Sequence, residues 1–355
     1  MLGGGRKAER SKQLDSISQA ALGAAVGVAV MGRTRPMWQA ALGGALVGTL
    51  PDLDVLLDKG DEIRNMVLHR AETHAFFWQA LASPLIAILP AALTRTPALF
   101  LRWWLMVALA LFTHSMLDAM TVYGTRIGLP FSDYPFGIGS LFIIDPLYTL
   151  PLLLGLVMGL AWQGAQHRRW SLAGLVLSSL YAGWSVAAQA QVTERVMSTP
   201  EAQGVAPERV LVTPTPFNTI LWRVVLLRED TYDEAFFSLL DSLVDPLRPM
   251  RFESLPRGGG LEGRTADFAD ANLIRAFSKG FYALSDDGHQ VRITDLRMGQ
   301  YPYYAFSFVF ALHQSEPLRP TDPVRTTHRM PFGEGIDWLW QRLQGHELHP
   351  PRPAQ

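Results

Sequence analysis

The segment Leu50–His74, LPDLDVLLDKGDEIRNMVLHRAETH, places six acidic residues and two histidines between apolar segments. A second segment, Phe112–Tyr123, has the sequence FTHSMLDAMTVY and lies at the end of an apolar run of membrane-spanning length. Ionisable side chains beside such runs are costly unless they are paired or bind a metal. We therefore expect the two segments to form one site, and the candidate metal ligands are Asp52, Asp54, His69, His74, His114 and Asp118.

The composition is that of a protein with a large apolar part. Of the 355 residues, 48% are hydrophobic and 18% are charged, whereas a soluble domain carries about 25% charged residues. The formal net charge of −1 argues against nucleic acid as the main partner, because nucleic-acid binding needs a basic face. The chain has no cysteine, which excludes disulfides, thiolate catalysis and cysteine-ligated zinc. A bound metal would therefore have histidine and carboxylate ligands.

The first half of the sequence predicts a membrane-embedded, all-α helical bundle of about six helices, two of them short. A full span needs about 20 apolar residues, and the first two segments fall below this length. Each contains a pair of glycines four residues apart, Gly23 with Gly27 and Gly44 with Gly48, which lets helix backbones approach closely in lipid. The six segments are Ile17–Gly32, Met37–Leu50, Ala75–Leu93, Ala98–Leu117, Leu141–Trp162 and Ser171–Ala190.

The hairpin of the first two segments has two interpretations. It is either a pair of packed helices and nothing more, or it also lines the metal site, with Asp15 and Gln19 turned toward it. The basic N-terminus and the lack of a clear cleavage site after the first apolar run predict a retained helix rather than a removed signal peptide.

From about Gln191 the composition changes to that of a soluble α+β domain with an antiparallel sheet. Short segments rich in Val, Ile, Phe, Tyr and Leu are separated by Gly, Pro, Asp or Asn, which is typical of strands. We therefore predict two domains, one over residues 1–190 that is embedded in the membrane and holds the metal site, and a soluble one over 191–350. The predicted strands are Glu208–Thr213, Thr219–Arg228, Leu273–Leu284, His289–Leu296 and Tyr303–His313, and the predicted helices are Asp233–Leu243 and Gly335–Leu343.

The spacing of the histidines leaves several roles open. His114 and Asp118 are four residues apart and share a helix face, as two ligands, as a ligand with its orienting carboxylate, or as a hydrogen-bonded pair at the helix end. His69 and His74 are five residues apart, which is roughly 140° on a regular helix. Either a helix begins between these two histidines or they serve different metals or roles.

The acidic and basic residues near the histidines are equally open to two interpretations. Asp52 and Asp54 either bridge metals from a turn or cap a helix. Asp145 is a ligand, an acceptor behind the ligands, or a helix cap. Arg70 and Arg126 either hold an anion such as phosphate or anchor the chain at the membrane edge. The joint occurrence of so many acids and histidines favours a metal site, since hydrolytic sites with two metals use the same ligand types.

Several ordered motifs resemble one known family. DSISQAALGAAVG, GTLPDLDVLL, HRAETH, FTHSMLDAMTVYGT, LPFSDY and IIDPLYTLPLL resemble the YdjM/YbcI family of inner-membrane proteins, which are predicted membrane-bound metal-dependent hydrolases. The resemblance implies the six ligands named above. Gln19 stands where many members have a histidine, and Ala75 stands where they have a serine. PTPFNTILWR, FSKGFYAL and ITDLRMG resemble the C-terminal region of longer members.

The function that the resemblance implies is hydrolysis by metal-activated water at the bacterial inner membrane, in a multi-pass protein. We expect one to three divalent ions, zinc by preference, and a phosphoester or related bond in a membrane lipid or amphiphilic substrate. A remote resemblance to zinc-dependent phospholipase C and P1 nuclease suggests the phosphoester. The predicted catalytic residues are Asp54, Arg70 and His74, of which Arg70 would stabilise developing charge. The alternatives are an ion-coupled transporter and a membrane-tethered binding protein with a structural metal.

Overall fold

The structure, a computed structural model, describes residues 5–162, 166–241, 248–313, 317–328 and 330–352, with side chains described from Ser16 onward. The predicted orientation of Asp15 toward the site therefore lies outside the described side chains. The chain divides into two units. The first unit consists of Met1–Leu57, Arg70–Val186 and Pro216–Asn218, and the second consists of Asp58–His69, Ala187–Thr215 and Thr219–Gln355.

Apolar helices make up most of the first unit. Among the described residues, three helical segments are long and apolar enough to cross a membrane, Phe76–Leu93, Pro97–Ala119 and Arg168–Met197, and two apolar helices are shorter. Leu85 and Leu93 are exposed along the first of these segments, as expected for a lipid-facing surface. The α-helices that precede the sheets are α1 (Gly5–Met31), α2 (Met37–Thr49), α3 (Glu62–Val67), α4 (Phe76–Leu93), α5 (Phe100–Ala119), α6 (Pro146–Ala161) and α7 (Gln166–Met197).

Helices α1 and α2 pack through the predicted glycine pairs. A Cβ atom on Gly23 would lie 2.3 Å from the carbonyl oxygen of Gly44, and one on Gly27 would lie 2.1 Å from that of Ala40. Such distances are far inside van der Waals contact, so only glycine permits this approach. The close packing fixes the C-terminal end of α2, which precedes the site.

The second unit contains two four-stranded antiparallel sheets. The sequence predicted antiparallel strands but assigned them to one sheet. The first sheet has the order β1-β2-β3-β4, with Val224 opposite Ala235, and the second has the order β5-β6-β7-β8, with Ile293 opposite Phe308. The strands are β1 (Val210–Pro214), β2 (Leu221–Leu227), β3 (Thr231–Ser238), β4 (Glu253–Pro256), β5 (Tyr282–Asp286), β6 (Gln290–Gln300), β7 (Tyr303–Leu312) and β8 (Arg319–Arg325), and two more helices are α8 (Ala269–Phe277) and α9 (Phe332–Leu343).

Two predicted elements of this unit are wrong. The predicted helix Asp233–Leu243 is largely strand β3. Asp233 and Glu234 of this strand are buried and paired with arginines, so its sequence does not alternate between polar and apolar residues. Residues 242 and 243 of the predicted helix lie outside the described part of the chain. The predicted strand Leu273–Leu284 begins as helix α8. Lys279 and Gly280 have φ of +55° and +83°, a left-handed turn that ends the helix before β5 starts.

Candidate metal centre

Four side chains from three segments of the first unit come together among the described residues. Asp52 lies in a short 3₁₀ helix that follows α2, and His74 ends another that precedes α4. His114 and Asp118 lie one turn apart near the C-terminal end of α5. One ligand atom of each residue lies within 4.8 Å of the corresponding atom of every other. His74, His114 and Asp118 are buried, and the Asp52 side chain is 21% exposed.

The distances between the four ligand atoms fit a tetrahedral site. His74 Nε2 lies 3.4 Å from Asp52 Oδ1 and 3.1 Å from Asp118 Oδ2. His114 Nε2 lies 3.5 and 3.4 Å from the same oxygens, and the two Nε2 atoms are 3.1 Å apart. A tetrahedron with zinc–ligand distances of about 2.0–2.1 Å has ligand–ligand edges of about 3.3–3.4 Å. The five distances given above, 3.1 to 3.5 Å, lie within about 0.3 Å of the edges expected for a single ion of that size.

Both imidazole rings are oriented by hydrogen bonds at Nδ1. His114 Nδ1 donates to the carbonyl oxygen of Gly48 at 2.7 Å. His74 Nδ1 donates to Thr73 Oγ1 at 2.8 Å, and Thr73 Oγ1 donates to Asp54 Oδ2 at 3.2 Å. With Nδ1 carrying the proton, each neutral ring turns the lone pair of Nε2 toward the centre. This is the arrangement by which outer groups orient metal-ligating histidines.

Each carboxylate of the cluster has one oxygen atom directed toward the centre. Asp118 Oδ1 accepts a hydrogen bond from Gln19 Nε2 at 2.8 Å, while the buried Oδ2 accepts none from the described residues. This oxygen forms an ion pair with Arg70 Nε at 3.2 Å, and a cation at the centre would interact with the same oxygen. Asp52 Oδ1 lies 3.4 Å from His74 Nε2 and 3.5 Å from His114 Nε2, so it also faces the centre.

Arg70 lies against the cluster in a constrained conformation. Its φ is +61°, a left-handed conformation that few non-glycine residues adopt. Its backbone N–H donates to Asp54 Oδ2 at 3.1 Å, and its Nη1 donates to Thr121 Oγ1 at 3.1 Å. Its Nε lies 3.2 Å from Asp118 Oδ2, and its guanidinium carbon is 5.1 Å from the ring centroid of Tyr123. The guanidinium is therefore buried directly behind one candidate ligand.

The charges of the cluster and its supporting residues would not balance once both histidines are neutral, as metal ligands must be. With both histidines neutral, the carboxylates of Asp52, Asp54 and Asp118 face the single guanidinium of Arg70, which leaves two negative charges in a largely buried place. Uncompensated buried charge is strongly destabilising. One divalent cation neutralises it. Donor set, spacing and charge therefore all fit a divalent ion held by Asp52, His74, His114 and Asp118.

Comparison with known families agrees with these features. The model of the YdjM inner membrane protein family matches residues 14–192, half of the chain, and this range includes the whole cluster. The chain belongs to the YdjM family. It is accordingly an integral membrane protein of an inner-membrane family. Comparison with the curated proteins and with the solved structures gives no match.

Two of the six ligands predicted for this YdjM-family chain lie outside the group of four. Asp54 is buried, and its Oδ2 accepts hydrogen bonds from Thr73 and from the Arg70 backbone, so that it supports the ligand His74 from behind. His69 belongs to the second unit. The left-handed turn at Arg70 separates His69 from His74, so the two histidines do not lie on one regular helix.

Other predicted residues have structural roles. Asp145 caps α6, because its Oδ1 accepts from the backbone N–H of Leu147 at 2.9 Å, and its Oδ2 accepts from Tyr181 at 2.8 Å. Burial raises the pKa of Asp145. Gln19 is turned toward the site, as one of the two interpretations of the hairpin required, and it acts through Asp118.

Three residues of the site were missed in the sequence. Thr73 and Gly48 orient the two histidines, and Gln79 donates to the carbonyl oxygen of Thr73 at 2.9 Å and to Ser115 Oγ at 2.7 Å. A glutamine in the apolar run Ala75–Leu93 was a signal that could have been used. A carbonyl acceptor such as that of Gly48 leaves no signal in a sequence.

Proposed function

We propose that this protein is a membrane-bound metal-dependent hydrolase that cleaves a phosphoester or related bond in a lipid or other amphiphile. The observation that carries the proposal is the set of four ligand atoms with near-tetrahedral spacing, inside a protein of an inner-membrane family. A bound divalent ion would act there as a Lewis acid and activate a water. Zinc suits a site made of two imidazoles and two carboxylates.

The surrounding residues would position the ligands and hold charge. Asp54 and Thr73 keep His74 in the ligating tautomer, and Gly48 does the same for His114. Asp52, the most exposed of the four, lies on the side from which a substrate can reach the centre. Because its side chain is partly exposed, Asp52 is the ligand best able to move away from the ion. This movement would open a coordination position, which catalytic metal sites require.

The choice of a phosphoester rests on Arg70. A guanidinium carries a permanent positive charge, and Arg70, buried behind Asp118, would favour an anion at the centre through this charge without contacting it. Arg70 holds this charge beside Asp118, at a site reached from the ends of membrane-length helices. An anionic headgroup at the bilayer edge is the substrate that this combination fits best.

The first experiment joins metal analysis to turnover. The full chain is purified in mild detergent without chelators, and bound metal is measured by plasma mass spectrometry. Hydrolysis of chromogenic phosphomonoesters and phosphodiesters and of liposomal anionic phospholipids is then followed for wild type, Asp118→Asn and the exposed-loop control Asp133→Asn. We expect about one divalent ion per chain and turnover that only Asp118→Asn removes. A stoichiometry near zero, even after reloading with zinc, would exclude the proposal.

A second function is favoured by one observation. Four protein ligands are the number found in closed structural zinc sites, so the ion could instead stabilise a membrane-tethered binding protein. Cobalt substitution separates the two. In a hydrolase, phosphate should change the visible absorption of the cobalt-loaded protein, because the anion enters the coordination sphere. An unchanged spectrum, together with a lower unfolding temperature on metal removal and no turnover, would favour the structural role.

A further inference from the structure

Apolar side chains are exposed beside the candidate metal centre, beyond the ends of the membrane-length helices. Leu56 is 78% exposed and Phe131 is 81% exposed. They belong to a set that we call the platform, which consists of Leu53, Leu56, Leu57, Phe131, Tyr134 and Ile138. All six belong to the first unit. Water-soluble surfaces rarely gather this many exposed large apolar side chains.

Backbone hydrogen bonds hold the platform at the same end of the helices as the metal centre. The N–H of Phe76, the first residue of α4, donates to the carbonyl oxygen of Ile127 at 3.1 Å. The N–H of Ile138 donates to the carbonyl oxygen of Ala119, the last residue of α5, at 2.8 Å. The loop that carries Phe131 is thus tied to the helix ends between which the centre lies.

The other half of the platform surrounds the most accessible ligand. Leu53 and Leu56 lie in the same 3₁₀ helix as Asp52, and Leu57 follows it. Asp52 is the ligand with a partly exposed side chain. Any molecule that approaches the centre past Asp52 therefore meets leucine side chains first.

Aromatic contacts connect the platform to the lipid-facing surface of α4. The ring centroids of Phe77 and Phe131 are 5.3 Å apart, and those of Phe77 and Trp78 are 5.1 Å apart. Phe77 and Trp78 lie in the first turn of α4, and exposed Leu81 and Leu85 follow along the same helix. Aromatic residues at the end of a span are typical of the interface between lipid and water. The exposed apolar surface of α4 therefore continues into the platform.

We propose that the platform is a lipid-docking surface, which inserts into the boundary between headgroups and acyl chains of the bilayer and makes the metal centre open onto the membrane surface. Apolar and aromatic side chains at that depth are stabilised by burial in the acyl region, while nearby polar groups stay hydrated. The consequence for the substrate rests on the proposed function. A membrane-resident amphiphile could then present its headgroup at Asp52 without leaving the bilayer, whereas a soluble ester would have to cross the platform.

The absence of cysteine in the sequence allows a direct test by site-directed spin labelling. Single-cysteine variants Leu56→Cys and Phe131→Cys, labelled with a nitroxide, are reconstituted as full chains in liposomes of phosphatidylethanolamine and phosphatidylglycerol. Leu85→Cys gives the reference for acyl chains and Asp287→Cys, in the exposed β5–β6 turn, the reference for water. Relaxation by oxygen and by a water-soluble nickel chelate reports the depth of each label.

We expect the labels at positions 56 and 131 to collide with oxygen far more often than with the nickel chelate, as the label at 85 does. The proposal is overturned if both labels meet the nickel chelate as freely as the label at 287. It is also overturned if both labels are shielded from oxygen and from the nickel chelate and their spectra show dipolar broadening between labels. That result would mean that a second copy of the chain covers the platform. Neither metal content nor turnover enters this measurement, so its failure and that of the hydrolase proposal are distinguishable.

Discussion

The two units bury charge in opposite ways. In the second unit three buried arginines each donate to a carboxylate, Nε of Arg223 to Glu234 at 2.7 Å, and Nη2 of Arg297 and of Arg342 to Asp295 and Asp241 at 2.6 and 2.7 Å. In the first unit the ligand atoms of two histidines and two aspartates converge within 4.8 Å of one another.

The difference separates a structural use of buried charge from a functional one. In a matched pair each charge has an opposite charge within hydrogen-bond distance, so no further ion is needed. A convergent set of lone pairs is stabilised by a cation at its centre. Variants in the two units should therefore fail in different measurements.

The largest effect is expected for His114→Ala, which removes one of the four convergent ligands. Bound metal should fall from about one ion per chain to near zero, as measured by plasma mass spectrometry after gel filtration. His69→Ala is the matched control, because His69 lies outside the group of four, and it should keep full occupancy. Loss of metal from both variants to the same extent would contradict the site as described.

The second largest effect is expected for Glu234→Gln in the sheet unit. The substitution leaves the buried guanidinium of Arg223 without its counter-charge, which should lower the free energy of unfolding by about 3–5 kcal/mol. Denaturant unfolding in mild detergent measures it, with the exposed Glu229→Gln as control. Metal content should stay at the wild-type level. A loss of metal here would show that the contrast between the units does not hold.

A smaller effect is expected for Gly44→Ala in α2. Its Cβ would lie 2.0 Å from the carbonyl oxygen of Gly23, so that α1 and α2 must move apart, at a cost of about 1–3 kcal/mol. Gly183→Ala, on α7, is the control, because no described atom lies within 4 Å of its added Cβ. Thermal unfolding in detergent should distinguish the two alanines. Equal unfolding temperatures would mean that the glycine contact is looser than described.

The smallest effect is expected for Thr73→Val, which keeps the shape of the side chain but removes the hydroxyl between His74 and Asp54. Metal affinity should fall about 10-fold, the lower end of the usual effect of such outer groups. Competition with a fluorescent zinc chelator measures the affinity. Thr113→Val is the matched control, because Thr113 Oγ1 bonds to carbonyl oxygens of its own helix. An unchanged affinity for Thr73→Val would remove the proposed orienting role.

The sequence predicted the ligands that regular geometry governs. His114 and Asp118 share a face of α5 because they are four residues apart. Asp52 and His74 were predicted from residue type and position beside apolar runs. The exclusion of His69 from the group could not be predicted, because it depends on the left-handed backbone at Arg70. Nothing in the residue type of arginine favours that conformation.

In the second unit, local pattern failed where long-range pairing decides the structure. Strand β3 lies between β2 and β4, and residues on both of its faces are buried. Its Asp233 and Glu234 are tolerated because Arg228 and Arg223 lie within reach across the sheet. A pairing with residues elsewhere in the chain leaves no trace in the local periodicity, and the prediction of a helix over Asp233–Leu243 therefore failed.

The separation of the ligands along the chain bears on how the molecule is made. His74 and His114 stand 40 residues apart, and α4 and most of α5 lie between them. While the chain is being synthesised, Asp52 and His74 therefore emerge well before their partners exist. The pocket for the ion is completed only after α5 has entered the bilayer beside its neighbours. Ion capture would then be a late event in biogenesis, and it would mark the molecules whose helices have been inserted in the correct order.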